Sequence, residues 1–347
     1  MVVTQAQRKP LEASDRHTLF EPYRWELQLH CYRLLGSLHD AEDLVQETML
    51  RAWQRFDTFK GASSLRTWLY SIATHACLDA LKKRQPRTLP LVADPTASDP
   101  AQRPAPALAE ALWLEPYPDS WLAQATDNPE SRYTRSESVS LAFLTVLQFL
   151  PPRQRAILLL SDVLDWRASE VAELLELTVS AVNSALFRAR ATLAQHYHPD
   201  GEARAQDRPV DAATSTLLAR YVQAWETDDI AGLVALLKED ATFSMPPFPT
   251  WYRGPAAVRT LLTWAPFGRV PFFGTGAHRQ WRLCPTMANG QSAFAAYRLD
   301  PASGSYRAWG IHVLTYDDPT PACQIADLLL FQTPALVTSF GFPPFAD

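Results

Sequence analysis

The chain has 347 residues, of which 47% are hydrophobic, so it can build packed cores and wholesale disorder is excluded. Charged residues make up 20% and the formal net charge is −5, so the overall charge does not indicate a nucleic-acid-binding protein. Apolar runs are far shorter than the roughly 18 to 20 residues that span a bilayer, and the first residues lack the apolar core of a signal peptide. We therefore expect a soluble cytoplasmic protein without a membrane span. The four cysteines stand singly, which predicts neither a disulfide framework nor a metal site.

Two polar, proline-containing stretches divide the chain into three blocks. Eight of the 28 prolines lie between Pro86 and Pro118, in a stretch rich in Ala, Asp and Ser that also carries net negative charge. The predicted organisation is an N-terminal tail (1–18), a first block (19–86), an acidic, proline-rich and mostly irregular linker (87–136), a second block (137–197), a short linker (198–211), a third block (212–335) and a C-terminal tail (336–347).

The first block has the apolar periodicity of helices throughout. Leu27, Cys31 and Leu34 begin one helical stripe, and a second stripe runs from Ala41 to Ala52. A third helix is predicted from about residue 64 to 84, with Ser63 or Ser64 as its N-cap. These three helices should pack on one another.

Charges in the first block are sorted by sign. Asp40, Asp43 and Glu47 are three or four residues apart and therefore share one face of the second helix, whereas Lys82 and Lys83 belong to a basic end. An ordinary solvated helix face is the simpler interpretation of the acids. The two signs together, however, suit a module that binds a basic protein surface and a phosphate backbone.

The second block contains a candidate helix-turn-helix. Its first helix is predicted over 168–175 and its second over 180–193, with 177–179 as the turn. Acidic residues lie on the first helix, whereas Arg188 and Arg190 lie on the second, as a major-groove reader requires. Glu176 occupies the turn entry where many such motifs carry glycine, and a plain helical hairpin is the alternative.

The third block combines helices with strands. Helices are predicted over 212–226 and 229–238 and again after Pro255. Strand-like segments follow over 280–284, 292–299, 306–316 and 324–331, with Asn289-Gly290 as a hairpin turn. Helices followed by an antiparallel meander make an α+β layout.

Four segments resemble the bacterial sigma-70 superfamily, and in particular its small two-domain, extracytoplasmic-function type. They are residues 32–48 (YRLLGSLHDAEDLVQET), 65–81 (LRTWLYSIATHACLDAL), 150–160 (LPPRQRAILLL) and 181–190 (AVNSALFRAR). The resemblance covers somewhat under half of the chain and implies a multidomain protein whose first two blocks are all-α sigma domains two and four. It also implies core RNA polymerase and promoter DNA as partners.

The resemblance implies roles for surface residues that the charge pattern had left open. Asp40, Asp43, Gln46 and Glu47 would dock on the clamp helices of the polymerase. The third helix would melt and capture the promoter element near −10, a step that needs stacking surfaces, hydrogen bonds and cations. The residues of that helix implied to contact DNA are Arg66, Tyr70, Thr74, His75, Asp79, Lys82 and Lys83. Packing on the helix surface is the alternative for Tyr70 and His75, and family members often carry Asn in place of His75.

In the second block the resemblance assigns the recognition of the −35 element to the second helix of the helix-turn-helix. The residues implied to face DNA are Ser180, Asn183, Ser184, Phe187 and Arg188, with Arg190 on a phosphate. Val182, Leu186 and Leu193 are expected in the core instead.

The third block is similar to the SnoaL-like branch of the cone fold, on Tyr221-Val-Gln-Ala-Trp225, Asp229 and Trp251-Tyr-Arg-Gly-Pro255. Such cones enclose an apolar pocket, and the candidate lining residues here include Trp251, Trp281, Tyr297, Trp309 and His312. Some relatives of the fold are enzymes that use Asp and His as acid and base, and His312 with Asp327 would fill those roles. A packed core with a satisfied histidine is the simpler interpretation.

The sequence therefore predicts a non-enzymatic initiation factor without cofactor or metal, modulated in cis by its third block. The C-terminal segment Phe340-Gly-Phe-Pro-Pro-Phe345 is expected to pack against the sigma domains, and an anti-sigma factor or a small molecule is a further candidate regulator. Two alternatives remain: a SnoaL-like cyclase or hydrolase with a helical DNA-binding appendage, and a repressor that uses the helix-turn-helix alone.

Overall fold

The structure is a computed structural model that describes residues 18–59, 61, 63–108, 112–125, 139–197, 211–264, 280–316 and 323–346. Within these ranges, no helix combines the length and the apolar character needed to cross a membrane.

The first block is a bundle of three helices. They are α1 (Arg24–Leu35), α2 (Leu38–Arg55) and α3 (Leu65–Leu81), with short 3-10 turns at Glu21–Tyr23 and Phe56–Thr58. Ser37 caps α2 by accepting the N–H of Asp40 at 3.1 Å, and Ser64, one of the two predicted caps, accepts the N–H of Thr67 at 3.0 Å. The predicted three-helix packing is confirmed.

The described part of the linker is mostly irregular, as its composition predicted, but its residues 113–118 are mostly buried against the blocks. It contains two short helices, α4 (Pro90–Ala93) and α5 (Asp119–Gln124), and a bridge between Thr88 and Trp113. Leu114 and Tyr117 are fully buried. The backbone N–H of Glu115 donates to the Gly36 carbonyl at 3.0 Å, so this part of the linker is attached to the first block.

The second block is also helical. Its helices are α6 (Leu141–Gln148), α7 (Pro152–Leu158), α8 (Ala168–Leu175) and α9 (Val179–His196), with π-helical geometry over Leu159–Val163. The helix-turn-helix is confirmed, and α8 has the predicted bounds. Glu176, at the turn entry, adopts the left-handed conformation with φ 55°, which is the geometry that favours glycine there.

The third block is α+β, with helices packed on both faces of a mixed sheet. Its helices are α10 (Ala212–Glu226), α11 (Ile230–Val234), α12 (Pro255–Trp264) and α13 (Pro334–Ser339). Its strands are β1 (Leu237–Ser244), β2 (Trp251–Arg253), β3 (Trp281–Ala288), β4 (Gln291–Leu299), β5 (Tyr306–Tyr316), β6 (Ile325–Phe331) and β7 (Phe345–Ala346). The strand order is β2-β1-β6-β5-β4-β3, and β7 pairs with β5.

Two details of the third block differ from the prediction. The helix expected over 229–238 ends at Val234, and Leu237 already begins β1, which pairs in parallel with β6. The sheet is therefore an antiparallel meander from β3 to β6 with a parallel addition. The apolar periodicity predicted too long a helix, because Leu233, Leu236 and Leu237 are all buried although they lie on a helix, a turn and a strand in succession.

The two faces of this sheet belong to different cores. Phe294 and Leu314 face α10 and α12, in a core that also contains Tyr221 and Trp225. Alternate residues on the same strands, Ala293 and Val313, join a core that is continuous with both helical blocks. We call the face that carries Ala293 and Val313 the outer face and the face that carries Phe294 and Leu314 the inner face. The outer face therefore packs against the first two blocks.

Candidate functional site

The acidic face of α2 is exposed along most of its length. The side chains of Asp43, Gln46 and Glu47 all face solvent. Leu50 and Trp53, which were not among the residues predicted from the sequence, continue the same face and are 55% and 43% exposed. Leu50 follows Glu47 by three residues and Trp53 follows Leu50 by three, and this spacing is the signal that would have found them, because an apolar residue left on a polar stripe marks a contact surface. We call Asp43, Gln46, Glu47, Leu50 and Trp53 the α2 stripe.

Asp40 does not belong to the α2 stripe. Its carboxylate is mostly buried between Arg84 and Arg87, and the Arg87 contact measures 2.6 Å. Burial opposes ionisation, but attraction and hydrogen bonds from Arg87 and Arg84 outweigh it and lower the pKa of Asp40. In this conformation Asp40 is therefore withdrawn from the exposed face of α2, because its charge is paired with Arg84 and Arg87 at the end of the first block.

Two of the predicted DNA-contacting residues of α3 are buried. Thr74 Oγ1 lies 2.9 Å from His30 Nε2, and Tyr70 donates from its hydroxyl to Glu26 at 3.3 Å. Arg66 donates to the same Glu26 carboxylate at 2.8 Å. Tyr70 and Thr74 are therefore corrected from surface to core residues in this conformation. Helical spacing in the sequence could not distinguish these buried residues from exposed ones, because α3 packs on α1 along one side and on the second block along another.

The remaining predicted residues of α3 lie towards its C-terminal end. His75 places Nδ1 2.8 Å from the Ser71 carbonyl and is partly exposed. Asp79 and Lys82 form an exposed ion pair at 2.8 Å, and Lys83 is exposed beside them. This end of α3 is the basic end that the charge pattern predicted.

The recognition helix α9 presents all six of its predicted residues to solvent. They are Ser180, Asn183, Ser184, Phe187, Arg188 and Arg190. Phe187 is 75% exposed, which is unusual for a large apolar side chain. Arg190 is held by two hydrogen bonds to Asp162, at 2.6 and 2.9 Å, so its guanidinium is oriented by the π-helical segment after α7. Val182 is buried, as expected for a core position.

The first two blocks pack directly on one another. The rings of Tyr70 and Trp166 are 5.6 Å apart, which brings α3 against the loop before α8. Arg155 of α7 is buried and donates to the Leu34 carbonyl of α1 and, at 2.7 Å, to Gln148 Oε1. Burial lowers the pKa of Arg155 to about 10. The structure is therefore a closed arrangement of the two helical blocks.

The hairpin between β3 and β4 ends at the junction of all three blocks. Asn289 Nδ2 donates to the Tyr32 hydroxyl at 2.9 Å and to the Val139 carbonyl at 2.6 Å, and Asn289 Oδ1 accepts the N–H of Tyr117 at 2.8 Å. The N–H of Gly290 donates to Asp119 at 3.0 Å. Asn289 and Gly290 have φ of 55° and 75°, the conformation of the predicted two-residue turn. One fully buried amide thus ties the third block to the first block, the linker and the second block.

The linker also contacts the first block through the side chain of Glu115. Its carboxylate accepts the N–H of Leu38 at 2.8 Å and the hydroxyl of Ser37 at 3.0 Å, at the N-terminus of α2. Burial raises the pKa of Glu115, but a hydrogen bond from His39 and attraction by Arg87 outweigh it, so the net shift is downward. A carboxylate at a helix N-terminus is favourable because of the partial positive charge there. The linker is therefore fastened to the helix that carries the α2 stripe.

The candidate pocket residues are only partly brought together. Trp281, Trp309 and His312 form an aromatic cluster with Trp225, with ring centroids 4.8 to 5.7 Å apart. His312 is fully buried with Nδ1 2.8 Å from the Tyr221 hydroxyl, and burial lowers the pKa of His312 to about 3. In the described residues this cluster fills the inner face of the sheet as a core.

Trp251 and Tyr297 are not part of that cluster, contrary to expectation. Trp251 donates from Nε1 to the Asp94 carbonyl of the linker at 2.7 Å, and Tyr297 lies in the core shared with the helical blocks. Tyr297 alternates with Ala293 and Ala295 along β4 and therefore lies on the outer face, whereas the extra residue of a β-bulge opposite Ala296 and Tyr297 is Trp309 of β5.

His312 and Asp327 do not form an acid-base pair. Thr315, three residues along β5 from His312, lies opposite Asp327, and the Asp327 carboxylate accepts the Thr242 hydroxyl. Asp327 is therefore on the outer face of the sheet, whereas His312 is on the inner face. The C-terminal segment contacts the sheet, since the Pro343 carbonyl accepts the Tyr297 hydroxyl and β7 pairs with β5. Phe340 also joins the core shared with the helical blocks, and direct packing of the segment on those blocks stays a prediction.

Three family comparisons match successive parts of the chain. Sigma-70 region 2 matches residues 19–87, Sigma-70 region 4 matches residues 140–193, and the SnoaL-like domain matches residues 218–319. The three matches lie in the first, second and third blocks respectively.

The chain is also similar to individual proteins. It is 43% identical over 326 residues to the ECF RNA polymerase sigma factor SigG of Mycobacterium tuberculosis, and the match covers 93% of this chain and 82% of the relative. It is 30% identical over 233 residues to the ECF RNA polymerase sigma factor SigJ of the same organism, covering 65% and 63% of the two chains. Its fold is similar to the crystal structure of SigJ, with a TM-score of 0.55, 23% identity, and coverage of 94% and 99%.

Proposed function

The chain belongs to the extracytoplasmic-function (ECF) sigma factors of the sigma-70 superfamily, and from this membership we propose that it binds core RNA polymerase and promoter DNA and directs promoter-specific transcription initiation. The observation that carries the proposal is one chain with two exposed surfaces of different chemistry, the acidic and apolar α2 stripe and the polar and basic recognition helix α9. A repressor that used the helix-turn-helix alone would not need the α2 stripe.

The α2 stripe is the proposed polymerase-binding surface. Its acids suit a basic partner and supply electrostatic steering, whereas Leu50 and Trp53 supply apolar area that a purely solvated helix face would not expose. Asp40 is left out of this surface because Arg84 and Arg87 neutralise it.

A pull-down with core polymerase followed by run-off transcription tests the assignment. The double variant Asp43→Lys with Glu47→Lys reverses two charges, and we expect retention on core to fall about tenfold or more. The matched control is Glu239→Lys with Asp240→Lys, two exposed acids on β1, which should bind as wild type. Each double variant loses one surface ion pair, so a difference in retention between them reports where on the surface the charges were reversed. Equal retention of the two doubles would contradict the assignment.

DNA recognition is proposed for α9 and for the C-terminal end of α3. Asn183, Ser184, Phe187 and Arg188 would read base edges of the −35 element, whereas Arg190, oriented by Asp162, would contact a phosphate. His75, Asp79, Lys82 and Lys83 would act near the −10 element. Tyr70 would reach DNA only after the first block separates from the second, whereas Thr74 and Arg66 would have to leave His30 and Glu26 within the first block.

The closed arrangement is proposed to be a state that cannot engage both promoter elements. Elements named −35 and −10 are separated by about 25 base pairs, or roughly 85 Å of duplex. The two helical blocks touch through Tyr70 and Trp166, and α3, with 17 residues, is only about 26 Å long. The blocks must therefore move apart on the promoter.

Regulation of the initiation activity by the third block of the same chain is proposed to act through Asn289. Its side chain contacts the first block, the linker and the second block, and the two helical blocks have to separate. Asn289→Gly keeps the left-handed turn and removes the side-chain hydrogen bonds. We expect this variant to bind core polymerase more readily and to raise run-off transcription. The matched control is Gln332→Gly just after β6, because the side-chain nitrogen of Gln332 donates no hydrogen bond within the described residues. Output equal to wild type for Asn289→Gly would remove the regulatory proposal.

The third block is proposed to have no catalytic role, supported by the separation of His312 from Asp327 on opposite faces of the sheet. The protein is proposed to act in the cytoplasm, because that is where a polymerase-binding factor meets its partners. An anti-sigma factor or a small molecule is retained as a proposed regulator of the closed arrangement.

A further inference from the structure

A cavity of about 420 Å³ lies where the outer face of the third block's sheet meets the second block and the linker. Its walls come from α4 and the residue before it, from α6 and the residue after it, and from the end of α9, whereas its floor comes from β1, β4, β5 and β6. The volume falls in the range of small-molecule sites, about 300 to 1,000 Å³. The cavity is separate from the aromatic cluster around His312, which lies on the inner face of the sheet.

Apolar side chains from all three parts of the chain line the cavity. They include Leu141 and Val146 of α6 and Leu329 of β6. Val92 of the linker and Phe149 after α6 also line it, although they are 37% and 53% exposed, so part of its apolar wall is open to solvent. An occupant that covered these side chains would gain about 25 cal/mol for each Å² of apolar surface removed from water.

The polar side chains of the floor are engaged with one another. Gln291 Nε2 donates to Thr315 Oγ1 at 2.7 Å, and the Thr242 hydroxyl donates to the Asp327 carboxylate. Asp327 also takes part in a further interaction, so it is not free to receive a ligand's charge. It is the one carboxylate among the described lining residues, which include no lysine or arginine. A charged ligand would therefore lose hydration here without gaining an oppositely charged partner.

We propose that this cavity binds an uncharged, mainly apolar small molecule, with its apolar body between α6 and the outer face of the sheet. Shape and buried apolar area supply the affinity, and the cost of desolvating a charge excludes cations and anions of the same size. The occupant would touch the second block, the linker and the third block at once, so it would stabilise the closed arrangement. This consequence rests on the proposed function, whereas binding itself is measured without polymerase.

The experiment uses the full chain and probes that share a naphthalene ring: the uncharged 1-naphthalenemethanol, the cation 1-naphthalenemethylamine and the anion 1-naphthoate. Saturation-transfer NMR and calorimetry at neutral pH measure their binding. The alcohol should bind, and each charged probe should bind about tenfold more weakly or worse, because its charge finds no partner in the cavity. A charged probe that binds as tightly as the alcohol, or no binding of the alcohol at millimolar concentration, would overturn the proposal.

A cavity-filling variant separates this site from adventitious binding of an apolar probe. Ala142→Trp places a large side chain in the cavity and should abolish binding of 1-naphthalenemethanol. Met287→Trp adds the same side chain at an exposed position of β3 outside the cavity and should leave binding unchanged. Circular dichroism checks folding, and Val146→Phe replaces Ala142→Trp if that variant does not fold. Undiminished binding in a folded filling variant would show that the alcohol binds elsewhere and would refute the site.

Discussion

Single residues in this protein are often shaped by a backbone or burial constraint that their side-chain chemistry does not reveal. Glu176 carries a charge that matches the acidic face of α8, yet its backbone has φ 55° at the C-terminus of that helix. Tyr70 and Thr74 have the chemistry of DNA-contacting residues, yet they are buried and hydrogen-bonded to Glu26 and His30. At this scale, conformation and accessibility decide the role of a residue.

Glu176→Gly should stabilise the protein. The left-handed conformation costs a non-glycine residue about 1 kcal/mol, and glycine removes that cost. Glu173→Gly is the matched control, because Glu173 is an equally exposed acid inside α8, where glycine should destabilise by about 1 kcal/mol. Urea unfolding of both variants measures the difference. A loss of stability in Glu176→Gly would mean that the turn does not hold residue 176 in the left-handed region.

Asp119 should make stability depend on pH. Burial raises the pKa of Asp119 to about 6, although the N–H of Gly290 favours its charged form. Because the pKa is raised in the folded state, the contribution of Asp119 is greatest below its unfolded pKa and is lost as the pH rises through about 6. Asp119→Asn keeps an acceptor for Gly290 and does not titrate, so at pH 7.5 it should be more stable than wild type by about 1 to 3 kcal/mol.

The measurement is the difference in unfolding free energy between Asp119→Asn and wild type from about pH 4 to about pH 7.5. It should be small at the acidic end and grow through pH 6. Asp99→Asn, an exposed linker acid, is the control and should show no such growth. A constant difference across this range would refute the assignment of the titration to Asp119.

Among the secondary-structure elements, the linker departs most from its sequence composition. Proline, alanine and acidic residues suggest a solvated tether, but Leu114 and Tyr117 are buried and Glu115 caps α2. Gly36, just before α2, has a φ of 69°, and a Cβ at this position would clash with Leu114. The linker thus acts as a structural part of the first block.

Glu115→Gln should loosen the linker from α2. The neutral amide accepts hydrogen bonds less strongly and lacks the attraction to Arg87 and to the helix N-terminus, so we expect a loss of about 1 to 2 kcal/mol at neutral pH. The pKa of Glu115 is lowered in the folded state, so this contribution is present above its ordinary pKa and is lost as the pH falls through the folded value.

Chemical unfolding at neutral and at acidic pH measures that loss. The effect of Glu115→Gln should shrink on acidification, as should that of Asp119→Asn, but Glu115→Gln destabilises the protein whereas Asp119→Asn stabilises it. Asp43→Asn on the exposed face of α2 is the control and should have little effect at either pH. A pH-independent loss for Glu115→Gln would indicate that only the shape of the side chain matters.

At the scale of the whole molecule, the outer face of the sheet, the linker and the two helical blocks form one continuous core. A factor held this way has to exchange internal contacts for contacts with polymerase and promoter. The net free energy of binding to polymerase and promoter then depends on how strongly the contacts of Asn289 and Glu115 stabilise the closed arrangement.

Hydrogen exchange should detect the proposed separation of the two helical blocks. When the protein binds core polymerase, amides that donate across the junction, those of Tyr117, Asn289 and Gly290, should exchange faster because their acceptors move away. Amides within the β4–β5 ladder should keep their protection and serve as the internal control. Unchanged exchange at the junction in the polymerase complex would contradict an opening of the blocks.

The sequence determined a large part of the local structure. Helical periodicity predicted α1 to α3 and the helix-turn-helix, and Asn289-Gly290 predicted the hairpin, because these patterns depend on contacts a few residues apart. The six α9 residues that the family resemblance implied to face DNA are all exposed, because the spacing of that helix is also set locally. The same resemblance named the surfaces that could bind polymerase and DNA.

Only the tertiary structure decided which of those residues are accessible and which surfaces face one another. Asp40 is neutralised by Arg84 and Arg87, which lie far along the chain, and Tyr70 is buried partly against the second block. Each of these depends on contacts between segments that are distant in the chain. Local periodicity carries no information about such contacts, so the closed arrangement and the cavity on the outer face of the sheet emerged from the fold alone.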